Sequence, residues 1–295
     1  MAVRVITDST SSMPAATAAR YGITVVPLSV TLAGVTETDL AIDAESFYRA
    51  MLETPEFPTS SQPTVASMIE AMEEPVARGD EVVAVLISSK MSGTYETALM
   101  ARDQVLAAHP GAVIRVVDSL SNSMEEGFAV LAAAKVAAQG GSASEAVAAA
   151  QRAVGRTRWL FTPKTLEYLR RGGRIGNAKA LLGSLLQIRP ILTVVDGVTS
   201  TVKSVRTQKK ALEEIAEMVA ADFEEFGFVD AVVHHVIDVE EGTALADLIE
   251  RRTGHRPSLA LLNPSVGIHV GPGSLGVVYE VGADLHKNTQ PVPIV

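Results

Sequence analysis

The chain contains no cysteine, which excludes disulfides, thiol nucleophiles and cysteine-ligated zinc. Aromatics are scarce, at 4% of 295 residues, and leave little with which to stack bases. An excess of basic charge is also missing. The formal net charge is −9, the wrong sign for a protein that tracks phosphates, so no nucleic-acid partner is expected. Long apolar runs are lacking too. The most apolar stretch, Leu181 to Val195, is cut by Gln187, Arg189 and Pro190, so no stable membrane insertion is expected. The opening Met1-Ala2-Val3-Arg4-Val5-Ile6-Thr7-Asp8 reads as a strand start without the apolar core of an export signal. The expected location is the cytoplasm.

Familiar catalytic signatures are absent as well. There is no Walker phosphate loop, since Gly172-Gly173-Arg174-Ile175-Gly176-Asn177-Ala178-Lys179 lacks the Gly-Lys-Ser/Thr ending. There is no G-x-S-x-G nucleophile elbow. Gly271-Pro272-Gly273-Ser274-Leu275-Gly276 matches the dinucleotide fingerprint by letter, but a strand-like Val277-Val278-Tyr279 follows where a helix should begin. A tight turn bringing backbone close to another element fits it better. His234 and His235 are adjacent in a strand-like run, point to opposite faces, and are poorly placed to share a metal. No metal site and no cofactor are expected.

What is present begins with alternation. Extended runs at Val3–Thr7, Ile23–Leu32, Glu81–Ser88 and Ala112–Val117 interleave with helical patterns, among them 43–52, Val65–Ala77 and Thr94–Ala108. That order predicts a parallel sheet with helices on both faces over residues 1–155. The remainder, 156–295, predicts an α+β domain with a mixed sheet. It has a hairpin about Asp196-Gly197, a long helix at Gln208–Phe226, and strands near Trp159, Phe228–Val236, Leu259, Ile268 and Val278. The fold class expected is therefore α/β with two domains and no long linker.

Polar residues gather at strand ends. Asp8-Ser9-Thr10-Ser11, Ser88 to Thr94, and Asp118-Ser119 all fall on the carboxyl edge of the first sheet, where ligands of such sheets sit. Helix capping is the ordinary use of these residue types. Pro58-Thr59-Ser60-Ser61-Gln62-Pro63 and Ser88-Ser89-Lys90-Met91-Ser92-Gly93-Thr94-Tyr95 are rich in hydroxyls and contain no local activator of a nucleophile. They suit an anion that is held: a carboxylate or a phosphate. Arg174 follows a Gly-Gly helix end and is free to turn inward, and His269 precedes the Gly-Pro-Gly turn, within reach of another element. Three classes remain open on these residues: a binding protein, a small-molecule kinase or phosphatase that seats phosphate on the hydroxyl rim, and a regulatory or structural protein whose apolar cavity is incidental.

The set of short motifs resembles one family, the DegV family of bacterial fatty-acid-binding proteins. The matching segments are Thr7–Ser11, Ser60-Ser61-Gln62-Pro63, Ser92-Gly93-Thr94-Tyr95, Val117-Asp118-Ser119, Leu166–Ile175, Arg189-Pro190-Ile191-Leu192 and His269-Val270-Gly271-Pro272-Gly273, in that order. The resemblance implies a two-domain protein enclosing one long-chain fatty acid near the domain interface, without chemistry of its own. It implies that the carboxylate is bound by Ser60 and Ser92 and supported by Arg174 and His269. It also implies a partner, a separate ATP-dependent fatty-acid kinase subunit that converts the presented acid to acyl phosphate for phospholipid synthesis. Ser60 stands where the family commonly has Thr, and Lys90-Met91 precede Ser92 where a small residue and Leu are more usual.

Overall fold

The structure is a computed structural model that describes residues 2–182, 188–288 and 293–295. In the first half the strands are β1 (Val3–Asp8), β2 (Thr24–Val26), β3 (Ser29–Leu32), β4 (Val35–Thr38), β5 (Thr59–Ser61), β6 (Glu81–Leu86) and β7 (Ile114–Asp118). The helices are α1 (Ala15–Tyr21), α2 (Ala44–Glu53), α3 (Val65–Ala77), α4 (Thr94–Ala108), α5 (Ser123–Ala138) and α6 (Ala143–Arg156). β2-β1-β6-β7 form an all-parallel sheet. Its strands are apolar on both faces because helices cover both. Val83 and Val85 point to the alanine-rich faces of α5 and α6. Val82, Ala84 and Leu86 point to Met68 and Met72 of α3 and to Ala98, Ala101 and Val105 of α4. Small alanines let those helices lie close to the strands.

The second half carries β8 (Thr157–Thr162), β9 (Arg189–Val195), β10 (Val198–Val205), β11 (Phe228–His235), β12 (Ser258–Leu261) and β13 (Leu275–Val281), with α7 (Glu167–Arg171), α8 (Gln208–Phe226), α9 (Val239–Thr253) and α10 (Pro264–Val270). Its sheet runs β10-β9-β8-β13-β11-β12 and is mixed, since β11 and β12 are parallel and the other pairs antiparallel. Asp196 (φ 48°) and Gly197 (φ 80°) both sit in the left-handed region, as a two-residue hairpin turn that follows strand twist requires. One face of this sheet packs on α8 and α9 through Leu160, Ile191, Val233 and Val277. The other presents Trp159, Phe161, Leu192, Val194 and Val278 to Tyr48 and Met51 of α2 and to Met124 and Phe128 of α5. This shared cluster makes the seam between the halves a core in its own right.

Two expected elements differ. The single extended run Ile23–Leu32 is two strands in two sheets: β2 extends the parallel sheet, while β3 pairs with β4 and β5 in a small antiparallel one. The division falls at Pro27, which has no N–H to give to a continuing ladder. The strand expected near Ile268 is instead α10. The side chain of Asn263 accepts from the Ser265 N–H, and Pro264 occupies the first helical turn, a pairing that starts helices. The chain also returns to the first half at its end. Residues 293–295 pair antiparallel with the edge of β7, with Val116 N–H donating to Val295 O at 2.9 Å and Val295 N–H to Val116 O at 3.1 Å. Lys287 forms a buried ion pair with Glu125 of α5.

Candidate functional site

Ser60 lies on β5, opposite Val30 of β3. The side chain two residues on fixes how this strand meets the rest of the protein. Gln62 lies flat against Gly93, so close that a Cβ there would stand 2.2 Å from Gln62 Oε1. Gln62 Nε2 donates to Thr97 Oγ1 at 2.7 Å. The bare glycine thus lets the Ser60 strand lie across the turn that carries Ser92. In that turn Ser92 Oγ stands 2.8 Å from Thr94 Oγ1 and accepts from the Thr94 N–H at 3.3 Å. Ser92 thus braces the turn that leads into α4 and still has hydrogen-bonding capacity to offer.

The second half supplies the cation and the imidazole. After α7 the chain turns through Gly173 (φ 72°), and Arg174 folds back. Its Nε donates to the Met91 carbonyl at 2.9 Å and its Nη1 to the Gly172 carbonyl at 2.6 Å. The guanidinium braces the residue just before Ser92, which leaves donors over, since the group carries five N–H bonds. Burial lowers its pKa from the ordinary value. His269 sits on α10, a helix, and not at a strand end. Its Nε2 stands 3.1 Å from Ser60 Oγ, while Nδ1 is shut off from solvent without a hydrogen-bond partner among the described residues. Gly172 leaves room for the ring: a Cβ there would stand 2.3 Å from Nδ1. Burial, helped by the charge of Arg174, pushes the His269 pKa down to about 4. The imidazole is neutral near pH 7.

Ser60, Ser92, Arg174 and His269 all line one cavity of about 530 Å³, counted out to its open mouth. All four are half-buried. The rest of the wall is largely apolar: Leu28, Ile87 and Met91 from the first half, and Trp159, Phe161, Leu169, Val194, Val266 and Val270 from the second. Trp159 and Phe161 stack with ring centroids 4.4 Å apart. Its position at a seam between layers is a common one for ligands. A mostly apolar wall that also carries hydroxyls, an imidazole and a cation suits an amphiphile with one anionic end.

The carboxyl-edge residues divide into those that reach the cavity and those that brace loops. Thr10 lines it. Asp8 Oδ2 accepts from the Ile87 N–H at 3.0 Å, and Asp118 Oδ1 accepts from the Leu120 N–H at 2.8 Å, so both acids hold neighbouring backbone. Ser88 Oγ donates to the Gly197 carbonyl at 2.8 Å; the hairpin tip of the second half is docked there. Sequence reasoning did not find Asn122, Ser265 or the Trp159–Phe161 wall, all of which line the cavity. Ser265 carried a helix-start signal in Asn263-Pro264; the aromatic wall had no local signal. Among the described residues no cluster of His, Cys, Asp and Glu is placed to hold a metal. No helix among them is long and apolar enough to cross a membrane. Gly271 (φ 85°) packs against the Tyr168 ring, so the Gly-Pro-Gly turn serves close packing of α10 on α7.

The sequence model described as "Uncharacterised protein, DegV family" matches residues 2–281. The chain belongs to the DegV family. A DegV domain-containing protein of Clostridium acetobutylicum is 42% identical over 279 residues, covering 95% of this chain and 98% of that one. Among solved structures, a fatty-acid-binding DegV family protein from Thermus thermophilus superposes with a TM-score of 0.86 at 32% identity, covering 95% of this chain and 100% of that one. A stearic-acid-binding protein from Eubacterium ventriosum does so with a TM-score of 0.85 at 25% identity, covering 94% and 98%. The α/β fold, with one parallel and one mixed sheet, is the fold of the Thermus DegV structure.

Proposed function

We propose that this DegV protein binds one long-chain fatty acid, its tail in the apolar slot between the halves and its carboxylate on the hydroxyls of Ser60 and Ser92. Arg174 and His269 support that head group, and the bound acid is presented to a separate fatty-acid kinase subunit. The protein itself acts as a carrier. The observation that carries the reading is the presence of Ser60, Ser92, Arg174 and His269 together on a largely apolar cavity, joined to the ligands named for the two solved neighbours.

The energetics agree. A C16 tail buries about 15 CH₂ and CH₃ groups, worth on the order of 12 kcal/mol of transfer free energy, against which lost freedom of ligand and protein costs several kcal/mol. Burial supplies the affinity and the head group sets orientation. Serine hydroxyls hold a carboxylate by single hydrogen bonds, which leaves oxygen lone pairs for attack on a phosphoryl donor; a bidentate arginine would occupy both oxygens. Arg174 already spends Nε and one Nη on backbone carbonyls, which fits a supporting role.

Mass spectrometry of an organic extract of the purified protein should release a fatty acid in near-stoichiometric amount. Ser92→Ala should weaken stearate binding by about ten- to a hundredfold, the worth of one hydrogen bond to a charged group. It should also slow acyl-phosphate formation when a fatty-acid kinase and ATP are added. Unchanged values in both assays would remove Ser92 from the site, and a lipid-free protein that takes up no stearate would remove the reading.

A further inference from the structure

Beneath the cavity wall lies a set of acids that fatty-acid binding does not use. Thr10, Asp8 and Glu126 are all buried, at 1%, 0% and 0% exposure. Thr10 Oγ1 stands 2.5 Å from Asp8 Oδ1 and 2.8 Å from Glu126 Oε2. A hydroxyl has one hydrogen and can donate to only one of them. With both acids ionised, the other contact would set a lone pair against an anionic oxygen in a dry, low-dielectric place. One acid must supply a hydrogen of its own.

The surroundings say which. Asp8 is served by backbone, with Thr10 N–H on Oδ1 at 2.9 Å and Ile87 N–H on Oδ2 at 3.0 Å, and such donors favour the ionised form. Glu126 has no backbone donor among the described residues; its Oε1 meets Thr7 Oγ1 at 3.1 Å. The charges that act on the pair are also negative: Asp39 on Asp8, and Asp118 on Glu126. The neighbouring Glu125 is already neutralised by Lys287. We propose that Glu126 and Asp8 hold one proton between them through Thr10, and that this proton fixes the Thr10 side chain in the cavity wall. Glu126 Oε2–H donates to Thr10 Oγ1, and Thr10 Oγ1–H donates to the Asp8 carboxylate. Glu126 and Asp8 are thus positioning residues that touch no ligand. Burial acts the same way, raising Asp8 to about 6, and burial with repulsion from Asp8 raises Glu126 well above the usual carboxylate range.

The inference is independent of which ligand the cavity takes, and its first test reads folding alone. Glu126→Gln replaces the O–H donor by an N–H donor of the same shape and keeps an acceptor for Thr7. Urea unfolding of the full chain from pH 5 to 9 should show wild type losing stability relative to Glu126→Gln as pH rises. The ratio of their folding constants should change by about tenfold per pH unit until the pKa of Glu126 in the folded protein is passed. A ratio that stays constant over this range would overturn the proposal. Should Glu126→Gln fail to fold, infrared spectra of wild type at pH 7 decide: a C=O stretch of an un-ionised carboxyl is expected, and none at all overturns it. As a second readout, the wild-type affinity for stearate should fall at the alkaline end of the range and that of Glu126→Gln should stay level. If neither protein binds stearate at any pH while the folding ratio moves as stated, the fatty-acid reading fails and the shared proton stands.

Discussion

At His269 one ring nitrogen meets Ser60 Oγ and the other meets no hydrogen-bonding group among the described residues. A ring held this way is useful only while neutral, because protonation would put a second cation beside Arg174 in a poorly solvated place. The pKa of about 4 in the folded protein lies below the 6.5 of a free histidine, which fixes the sign of the pH dependence. Between those values the unfolded chain binds a proton that the folded chain refuses. Stability is therefore full above pH 6.5 and declines as pH falls toward 4, by about 1.4 kcal/mol per unit and about 3 kcal/mol in all for this one group. His234, also pushed down to about 4 by burial, adds a limb of the same sign. His269→Gln should remove one proton's share of the slope and leave the other. Urea melts at pH 7, 5.5 and 4.5 would show it, and an unaltered slope would mean that His269 is already protonated in the fold.

The crossing of α7 and α10 is what places this ring. Gly172 has an ordinary helical φ of −74°, so alanine fits its backbone and the only new demand is space. The new methyl would stand 2.3 Å from His269 Nδ1 and 3.0 Å from the Tyr168 carbonyl. An imidazole cannot bend away as a long side chain can. Gly172→Ala should push it off Ser60, cost about 1–3 kcal/mol of stability, and weaken stearate binding by an amount similar to that of His269→Gln. Binding equal to wild type would show that Ser60 needs no partner on α10. The same elements show what a sequence discloses. Thr94–Ala108 and Gln208–Phe226 stand at the expected bounds, because helical periodicity and caps are local properties. Val266-Gly267-Ile268-His269-Val270 alternates apolar residues as a strand does, yet Asn263 and Pro264 before it start a helix. That cap outweighs a short alternation, since each buried apolar residue of α10 finds a neighbour in the shared core. Ser60, Ser92, Arg174 and His269 stood out as members of short motifs. The apolar wall did not, because Trp159 and Val194 become cavity residues only when a sheet from one half meets helices from the other.

The joining of the halves governs how the whole molecule answers its ligand. α6 ends at Arg156 and β8 begins at Thr157, so no free linker separates them. The apolar cluster that contains Trp159 and Phe161 draws Tyr48 and Phe128 from the first half. Farther along, the buried Lys287–Glu125 pair and residues 293–295 on β7 tie the chain end back to the first sheet. A cavity built from both sides of such a seam cannot be kept by one half alone, so binding there should stabilise both together. At a free stearate concentration 100 times Kd the gain is about 2.7 kcal/mol. Trp159, the single tryptophan of the chain, lines the cavity and reports it without a label. Thermal unfolding followed by Trp159 fluorescence and by far-ultraviolet circular dichroism should give one coincident transition, moved upward equally by stearate. Lys287→Met leaves Glu125 buried and unpaired, a loss of about 3–5 kcal/mol. It should lower that same transition in both signals. Two separated transitions, with stearate moving only the one seen by fluorescence, would instead mean that the second half makes the cavity by itself and that the seam is an incidental contact.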